Sequence, residues 1–488
     1  MSATSIVVAS NRGPVSFDHD EEGRLVAQRG AGGLVTALVG VLPGHDATWV
    51  AAAMTDGDRE VAAGAEAPDS GLPIRTRYVV VPSERYDGYY NEIANRTLWF
   101  AHHYLWDTVR SPVFDEGTAT AWEDYVEVNR QFAESLAAVG GDPAYLVQDY
   151  HLSLVPRLLR ELLPEARIVH FSHTPFAGSV YLRILPARVR DALLRGMLGA
   201  DVLGFQSGAW AENFLMSARS LAGARVDLGR SRVTFEGRTV AVRVYPISVE
   251  AAPLRELAAT KEVKKIRREL AKLRGDRALL LRVDRLEPTK NIVRGFLAFE
   301  DFLQANPSWR GRVTFVTLLS PSRTELPEYQ AYADECLAEA ERINRELGDR
   351  SWTPVYLSVR EDYPEAVAAF GLYDALLVNP VFDGMNLVAM EGPLVNRRHG
   401  VLILSRNAGA YGRLGRYALG VNPFDVTETA EAIREALEMS PPERARRARG
   451  LARTVLANTP ARWLGRQLDD LARVRKTASD RSGARDPD

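Results

Sequence analysis

The chain has 488 residues, 46% of them hydrophobic, with 61 lysines and arginines against 63 aspartates and glutamates and a formal charge of −2. That length exceeds one ordinary domain and predicts two large cores, while the near-neutral balance leaves no footprint for nucleic acid or an anionic membrane, only room for local basic pockets that take small anions. A single cysteine, Cys336, excludes a disulfide framework and a cysteine-based metal site and fits a reduced, cytoplasmic setting.

The chain opens MSATSIVVASNRG, without a basic lead and with only a short apolar core. No uninterrupted apolar stretch elsewhere is long enough to cross a bilayer, so the expectation is a cytoplasmic protein with no membrane partner. Short β-branched or leucine-rich runs then recur: SIVVAS (5–10), AYLVQ (144–148), RIVHFS (167–172), DVLGF (201–205) and VRVYPI (242–247). Between them lie segments of helical apolar spacing such as GLVTALVGVL, and this alternation predicts parallel strands with crossover helices. After YPISVE the rhythm restarts with ALLLRVDRLE (278–287), RVTFVTLLS (312–320), PVYLSV (354–359), DALLVNP (374–380) and GVLILSRN (400–407), which predicts a second α/β unit. The boundary falls near Pro246 to Pro253. The charged helix KEVKKIRRELAKLRG and the arginine-rich PPERARRARG read as solvated faces, and the tail KTASDRSGARDPD as disordered.

Two open α/β domains imply a cleft, and in such sheets ligands bind at the carboxyl ends of the strands. Polar residues gather at those ends. SIVVAS leads to Asn11 and Arg12, AYLVQ to Asp149, Tyr150 and His151, and RIVHFS to His173. ALLLRV leads to Asp284, Arg285 and Lys290, TFVTLLS to Arg323, and DALLVNP to FDGMNLVAME. The glycine cluster RGAGGLVTAL is either a tight turn before a helix or a loop that lets a phosphate or sugar approach; it is not the GxGxxG dinucleotide fingerprint. Arg285 and Lys290 are either two solvated cations or, after a buried strand, a pair that neutralises a diphosphate leaving group. His170 and His173 have an HxxH spacing but no third ligand nearby, so no metal site is expected.

In FDGMNLVAME an apolar run breaks into Asp383, Gly384, Met385 and Asn386 and resumes as a helix through Leu387 and Val388 to Glu391. Such a turn would expose amides and the positive end of a helix to an anion or polar sugar, although for Asp383 alone helix capping is the commoner role. Cations and carboxylates drawn from both domains suit a phosphorylated sugar and a nucleotide sugar.

With SNRGPVSF, RGAGGLVTAL, GYYNEIANRTLWFAHHY, VQDYHLSLVP, HTPF, GFQS, VYPISVE, VDRLEPTKN, SPSR, RINRELGDRSWTPVY, DGMNLVAMEGPLVN and VNPFD in this order, the chain from about residue 5 to 475 resembles the trehalose-6-phosphate synthases. These are retaining glycosyltransferases of the GT-B type, with two Rossmann-like domains facing a deep cleft. The resemblance implies an acceptor-binding domain over 1–247, a nucleotide-sugar-binding domain over 248–458, a helix over 459–475 packing back on the first domain, and a disordered tail over 476–488. It implies that Arg12 and Arg323 grip the phosphate of glucose 6-phosphate, that Tyr90 and Trp99 line the acceptor pocket, and that Asp149 binds acceptor hydroxyls. On the donor side it implies Gly32 and Gly33 as the glycine loop, Arg285 and Lys290 as the diphosphate-binding pair, and His173 near the donor glucose. Asp383 would hold glucose hydroxyls, Gly384, Met385, Asn386, Leu387 and Val388 would belong to the donor site with the Leu387 to Met390 amides approaching the diphosphate, and Glu391 would bind the ribose. Asp149, His173, Arg285, Lys290 and Asp383 form the catalytic set of that reading. The implied reaction is front-face displacement with retention, the leaving phosphate taking the acceptor proton, with no cofactor and no metal; a homo-oligomer is left open.

Four positions depart from the family pattern. FAGSV replaces an FPSSE-like sequence, Met390 replaces a lysine, Ala52 stands where a second tryptophan often follows the one matching Trp49, and Asn291 stands where many members have glycine. The donor base is therefore open among uridine, guanosine and adenosine. The alternatives are a pseudo-glycosyltransferase resembling validoxylamine 7'-phosphate synthase, coupling cyclitols through nitrogen, and a catalytically silent sugar-phosphate sensor.

Overall fold

The computed structural model describes residues 5–30, 33–42 and 44–482, and the chain divides into two compact units, residues 1–247 with 460–488 and residues 248–459. Gly32 lies outside the described residues, and Gly33 begins a short helix, Gly33–Val39.

In the first unit a nine-stranded sheet runs, edge to edge, Arg75–Val79, Asp46–Ala52, Ser5–Ala9, Ala144–Gln148, Arg167–Ser172, Val202–Phe205, Arg238–Val244, Arg232–Phe235 and Arg225–Asp227. The first seven pair in parallel and the last two are antiparallel. Central strands of such a sheet are covered on both faces, so their sequences are apolar throughout rather than alternating. Ile6, Val7, Val8 and Ala9 are accordingly all fully buried. The five strands read from the sequence fall in this sheet, which adds Asp46–Ala52 and Arg75–Val79 on one side; a separate hairpin pairs Val15–His19 with Leu25–Arg29.

The second unit carries six parallel strands in the order Val355–Val359, Val313–Ser320, Ala278–Arg285, Ala375–Val378, Val401–Ser405 and Leu419–Val421. Numbered within the unit, that order is 3-2-1-4-5-6, the doubly wound arrangement. Phe296, Phe299 and Phe302, at helical spacing on Ile292–Ala305, pack with Phe315 into its core.

Both sheets reverse strand order beside their own first strand. In the first unit the reversal lies between Ser5–Ala9 and Ala144–Gln148; in the second it lies between Ala278–Arg285 and Ala375–Val378. The crevice at the carboxyl ends of such a pair is where doubly wound sheets hold ligands.

The last helix, Pro460–Ser482, returns to the first unit. Trp463 is buried edge-on to the Phe171 ring, with centroids 5.0 Å apart, and the Tyr245 hydroxyl donates to Asp470 at 2.7 Å. The helix runs past residue 475, through KTASDRS, which contains no glycine or proline to stop it; residues 483–488 lie outside the described residues. No helix among the described residues is long and apolar enough to cross a membrane.

Candidate functional site

In the second unit the strand Ala278–Arg285 ends in a turn, and the chain then folds through Glu287 and a single 3-10 turn, Pro288–Lys290. Glu287 is wholly buried. Arg285 meets its Oε1 at 3.0 Å, Lys290 at 3.9 Å, and Arg323 meets Oε2 at 3.7 Å. The hydroxyls of Thr289 and Ser322 donate to the same carboxylate at 2.6 and 3.3 Å. Burial alone would raise this carboxyl, but Arg285, Lys290, Arg323 and the Thr289 hydroxyl outweigh it and hold it at about 2. Lys290 also donates to Asp383 Oδ2 at 2.6 Å. Burial works against its ammonium, yet Asp383 and Glu287 prevail and raise its pKa, so it stays charged.

Glu287, which the sequence reading passed over, thus gathers three cations from two separate strand ends. Its one signal was position: an acid three residues before Lys290, directly after a buried strand. Beneath it the fully buried Arg282 donates to Asp284 at 2.9 Å, to the Lys290 carbonyl at 2.9 Å, and to Asn379 Oδ1. Burial pushes Asp284 up to about 6 against the pull of Arg282 and Lys290. Arg323 has φ 45° and lies against Tyr329, whose hydroxyl accepts from Nη1 at 2.5 Å.

The turn from Asp383 to Leu387 joins this cluster. Asp383 Oδ1 accepts the Met385 amide at 3.1 Å and Oδ2 accepts from the Asn386 side chain at 3.2 Å. Asp383 therefore closes its own turn and is not the N-cap of the following helix, Val388–Val395; that place belongs to Leu387. The Cβ of any other residue at Gly409 would lie 1.9 Å from the Gly384 carbonyl oxygen, so a glycine is required for the two loops to approach. Of the four amides from Leu387 to Met390, that of Ala389 donates to Asn386 Oδ1 at 3.3 Å and that of Met390 to the Leu387 carbonyl at 2.8 Å. Those of Leu387 and Val388 have no acceptor among the described residues. Glu391 is half-buried; burial raises its carboxyl to about 7 while a hydrogen bond from Tyr363 pulls it down.

In the first unit the reversal carries different chemistry. Asn11 shares hydrogen bonds with the Tyr86 and Tyr89 hydroxyls at 3.0 and 3.1 Å, and Arg12 follows it, exposed. Tyr90 stacks between Tyr86 and His151, with ring centroids 5.3 and 5.7 Å away. Tyr86 sits on the short helix Ser83–Asp87, and Tyr89 and Tyr90 on Gly88–Leu98, which winds as a π-helix, a form frequent at functional sites. Trp99 is buried, 3.9 Å from the His103 ring and 5.8 Å from Tyr150. Asp149, at φ 71°, accepts the His173 amide on Oδ1 at 3.0 Å, which ties two strand ends together. The His173 ring lies 3.0 Å from Gln148 Oε1 through Nε2 and 3.4 Å from Gln206 Nε2 through Nδ1, a pattern that assigns its proton to Nε2. Burial and the neighbouring His170 hold its pKa down at about 3. The ring is therefore neutral, with both nitrogens engaged. Gln148, Gln206 and Tyr86 were not singled out in the sequence, because a lone amide or phenol gives no spacing signal.

Among the described residues eight non-glycine residues have positive φ, and four of them, Asp149, Asn291, Arg323 and Asn386, lie in or beside these two groups. Strained backbone of this kind persists where surroundings hold it, and it collects at functional sites. It also explains one departure: Asn291 has φ 57°, a left-handed position that suits glycine or asparagine, and its side chain bonds the Asn379 and Pro423 carbonyls at 3.0 and 2.6 Å. Met390 is 1% exposed with the Ser248 hydroxyl 3.9 Å from its sulfur, so an apolar side chain fits there. Trp49 is buried and donates to Ser10 Oγ at 2.8 Å. Among the described residues no three or more His, Cys, Asp or Glu side chains group as a metal ion would need.

Comparison with known proteins gives a consistent picture. The model of glycosyltransferase family 20 matches residues 4–473. The trehalose-6-phosphate synthase of Mycolicibacterium vanbaalenii is 36% identical over 485 residues, covering 96% of this chain and 95% of that protein. The bifunctional trehalose-6-phosphate synthase/phosphatase of Thermoproteus tenax is 34% identical over 476 residues, and the match takes in 94% of this chain but only 62% of that longer protein. The crystal structure of a UDP-forming alpha,alpha-trehalose-phosphate synthase from Burkholderia xenovorans, in complex with glucose-6-phosphate, superposes with a TM-score of 0.82 at 29% identity, covering 96% of this chain and 100% of that one.

Proposed function

Because this chain belongs to glycosyltransferase family 20, we propose that it transfers glucose from UDP-glucose to glucose 6-phosphate with retention, giving α,α-trehalose 6-phosphate and UDP. The observation that carries this reading is the Glu287-centred cluster at the strand reversal of the second unit, where Arg285, Lys290 and Arg323 meet one buried carboxylate and Lys290 meets Asp383. Three cations against two carboxylates leave a positive site held in fixed geometry, which suits the phosphate groups of a nucleotide sugar and a sugar phosphate. The uridine base and the acceptor are inferred from the relatives, among them the UDP-forming enzyme crystallised with glucose-6-phosphate. Neither a cyclitol-coupling enzyme nor a silent sensor finds support among these relatives.

In the step itself the acceptor C1 hydroxyl oxygen bonds to the donor glucose C1 as the bond from that carbon to the diphosphate oxygen breaks. The acceptor proton passes to the departing phosphate on the same face. Arg285 and Lys290 stabilise the charge that grows on the diphosphate, and the free amides of Leu387 and Val388 add to them. Such preorganised donors act without reorganising during the reaction, and removing one typically costs about 10²- to 10³-fold in turnover. Asp383 orients the glucose hydroxyls, Glu391 takes the ribose, and Arg323 and Arg12 take the acceptor phosphate. Asp149 binds acceptor hydroxyls while Tyr90 and Trp99 shape the pocket. His173, neutral and doubly engaged, positions the donor rather than moving a proton.

The test is product identification by mass spectrometry with purified protein, glucose 6-phosphate and UDP-, GDP- or ADP-glucose. A phosphorylated disaccharide with UDP-glucose is the expected result; product only from another donor would overturn the uridine assignment, and no product from any donor would overturn the reading itself.

A further inference from the structure

A cavity of about 600 Å³ opens in the second unit, and it is not at the carboxyl ends of the strands. Ala278 begins its strand there, and Arg312 and Asp374 precede the strands Val313–Ser320 and Ala375–Val378. This is the amino end of the sheet. Arg285, at the other end of the eight-residue strand Ala278–Arg285, is about 23 Å away at some 3.3 Å per residue.

Five arginines and two aspartates line this cavity. Asp374, 5% exposed, is the hub: Arg398 meets it at 3.0 Å, Arg444 at 3.3 Å and Arg274 at 3.7 Å, and the Leu279 amide donates to it at 3.0 Å. One carboxylate thus serves three guanidinium groups. Burial lowers the Arg274 pKa, Asp374 holds it up, and Arg398 lowers it further, and its buried Nε has no hydrogen-bond partner. The other two arginines make their hydrogen bonds to backbone carbonyls, and Arg277 also acts on the exposed Asp349 carboxylate. Arg277 donates to the Gly311 and Ser351 carbonyls at 3.2 and 2.7 Å. Arg312 donates to the Ser308 carbonyl at 3.5 Å and lies over the Trp309 ring at 4.9 Å. Asp276 is exposed, and Glu438, at the edge of Trp309, is paired with Arg434 at 3.0 Å. A device for fixing Asp374 would account for three of the arginines. It would not account for Arg277, which shares the exposed Asp349 with the Ser351 hydrogen bonds, nor for Arg312, which brings a further charge to the same space and pairs with no carboxylate among the described residues.

We infer that this arginine-lined cavity at the amino end of the second sheet is a binding site for a small phosphorylated molecule, separate from the site of transfer. Guanidinium groups match phosphoryl oxygens in planar, paired geometry, and a cavity of this volume holds a diphosphate or a phosphorylated three- to six-carbon compound. An anion there relieves the repulsion among the arginines.

The test uses the full chain at low ionic strength, titrated calorimetrically with inorganic pyrophosphate and, separately, glycerol 3-phosphate, so that a diphosphate and a monophosphate are compared. The wild type is expected to bind one or both probes with an event that the Arg312→Gln/Arg398→Gln variant weakens by about tenfold or more. Any binding at the site of transfer contributes equally to both proteins, and turnover stays within about twofold because neither arginine belongs to the machinery placed there. Should the double variant fold poorly, Arg312→Gln alone, whose side chain meets only a carbonyl and a ring, must still weaken the event severalfold. Identical titrations of wild type and variant with both probes would overturn the proposal, as would the absence of any event beyond the one that survives in the variant.

Discussion

The two strand reversals occupy the same place in the two sheets and are furnished in opposite ways. In the first unit the crevice is built mainly from stacked rings and amides, with Asp149 and Arg12 at its strand ends: Tyr86, Tyr90 and His151 in file, Asn11 bonded to two tyrosines, and an uncharged His173 between two glutamines. In the second it is built from charge: three cations on Glu287, Lys290 on Asp383, and an Arg282–Asp284 pair beneath. One scaffold thus offers a shape-selecting surface and an anion-holding surface. Substitutions among the stacked rings of the first should change fit with little dependence on pH or salt, and those in the second should change charge and show both dependences.

The largest effect is expected at Lys290. Lys290→Ala removes the ammonium that the proposed reaction sets against the diphosphate and takes away the 2.6 Å partner of Asp383. Turnover at saturating donor should fall by about 10²- to 10³-fold, with a much smaller change in acceptor KM; unchanged turnover would refute the role. Next comes Glu287→Gln, which strands three cations around a neutral amide. Breaking a buried ionic group costs on the order of 3 kcal/mol, measured by denaturant unfolding at neutral pH. Glu287 is held at about 2 against 4.5 when unperturbed, so its stabilisation is complete above about 4.5 and is lost as pH falls toward 2. The variant's stability should therefore vary less than the wild type's across that window, and equal slopes would show that the carboxylate is not coupled to the cations.

A smaller, pH-shaped effect is expected at Glu391, which burial raises to about 7. If the ionised form accepts the ribose hydroxyls, donor KM rises by up to about tenfold per pH unit below 7. Glu391→Gln should abolish that slope, and a slope that persists in the variant would place the titrating group elsewhere.

These contrasts were unequally legible in the sequence. The parallel sheets were readable because buried strands such as SIVVA and ALLLRV are continuous apolar runs, and the rule that ligands sit at carboxyl ends then pointed to Arg12, Asp149, Arg285, Lys290, Arg323 and Asp383. The strand Arg75–Val79 was harder, since RTRYV alternates at the edge of its sheet and offers no such run. Glu287 escaped notice because a carboxylate reads as solvated until the structure shows it wholly buried. The π-helical winding of Gly88–Leu98 has no periodicity of its own that a 3.6-residue pattern would reveal. Asn291 looked like a departure only because residue identity was visible and its positive φ was not.

The sharpest test of the stacked surface is the mildest substitution. Tyr90 stacks on Tyr86 and His151, and such ring contacts are worth about 0.5–1.5 kcal/mol each. Tyr90→Phe keeps both stacks and should leave acceptor KM within about twofold. Tyr90→Leu loses them and should raise acceptor KM by about three- to tenfold, by the same amount at low and high salt and across pH 6 to 8. Salt-dependent loss in the leucine variant would mean that the ring acts by placing Arg12 or another charge. Equal losses in the two variants would assign the effect to the hydroxyl, and the first crevice would then select its sugar by hydrogen bonding rather than by the face of an aromatic ring.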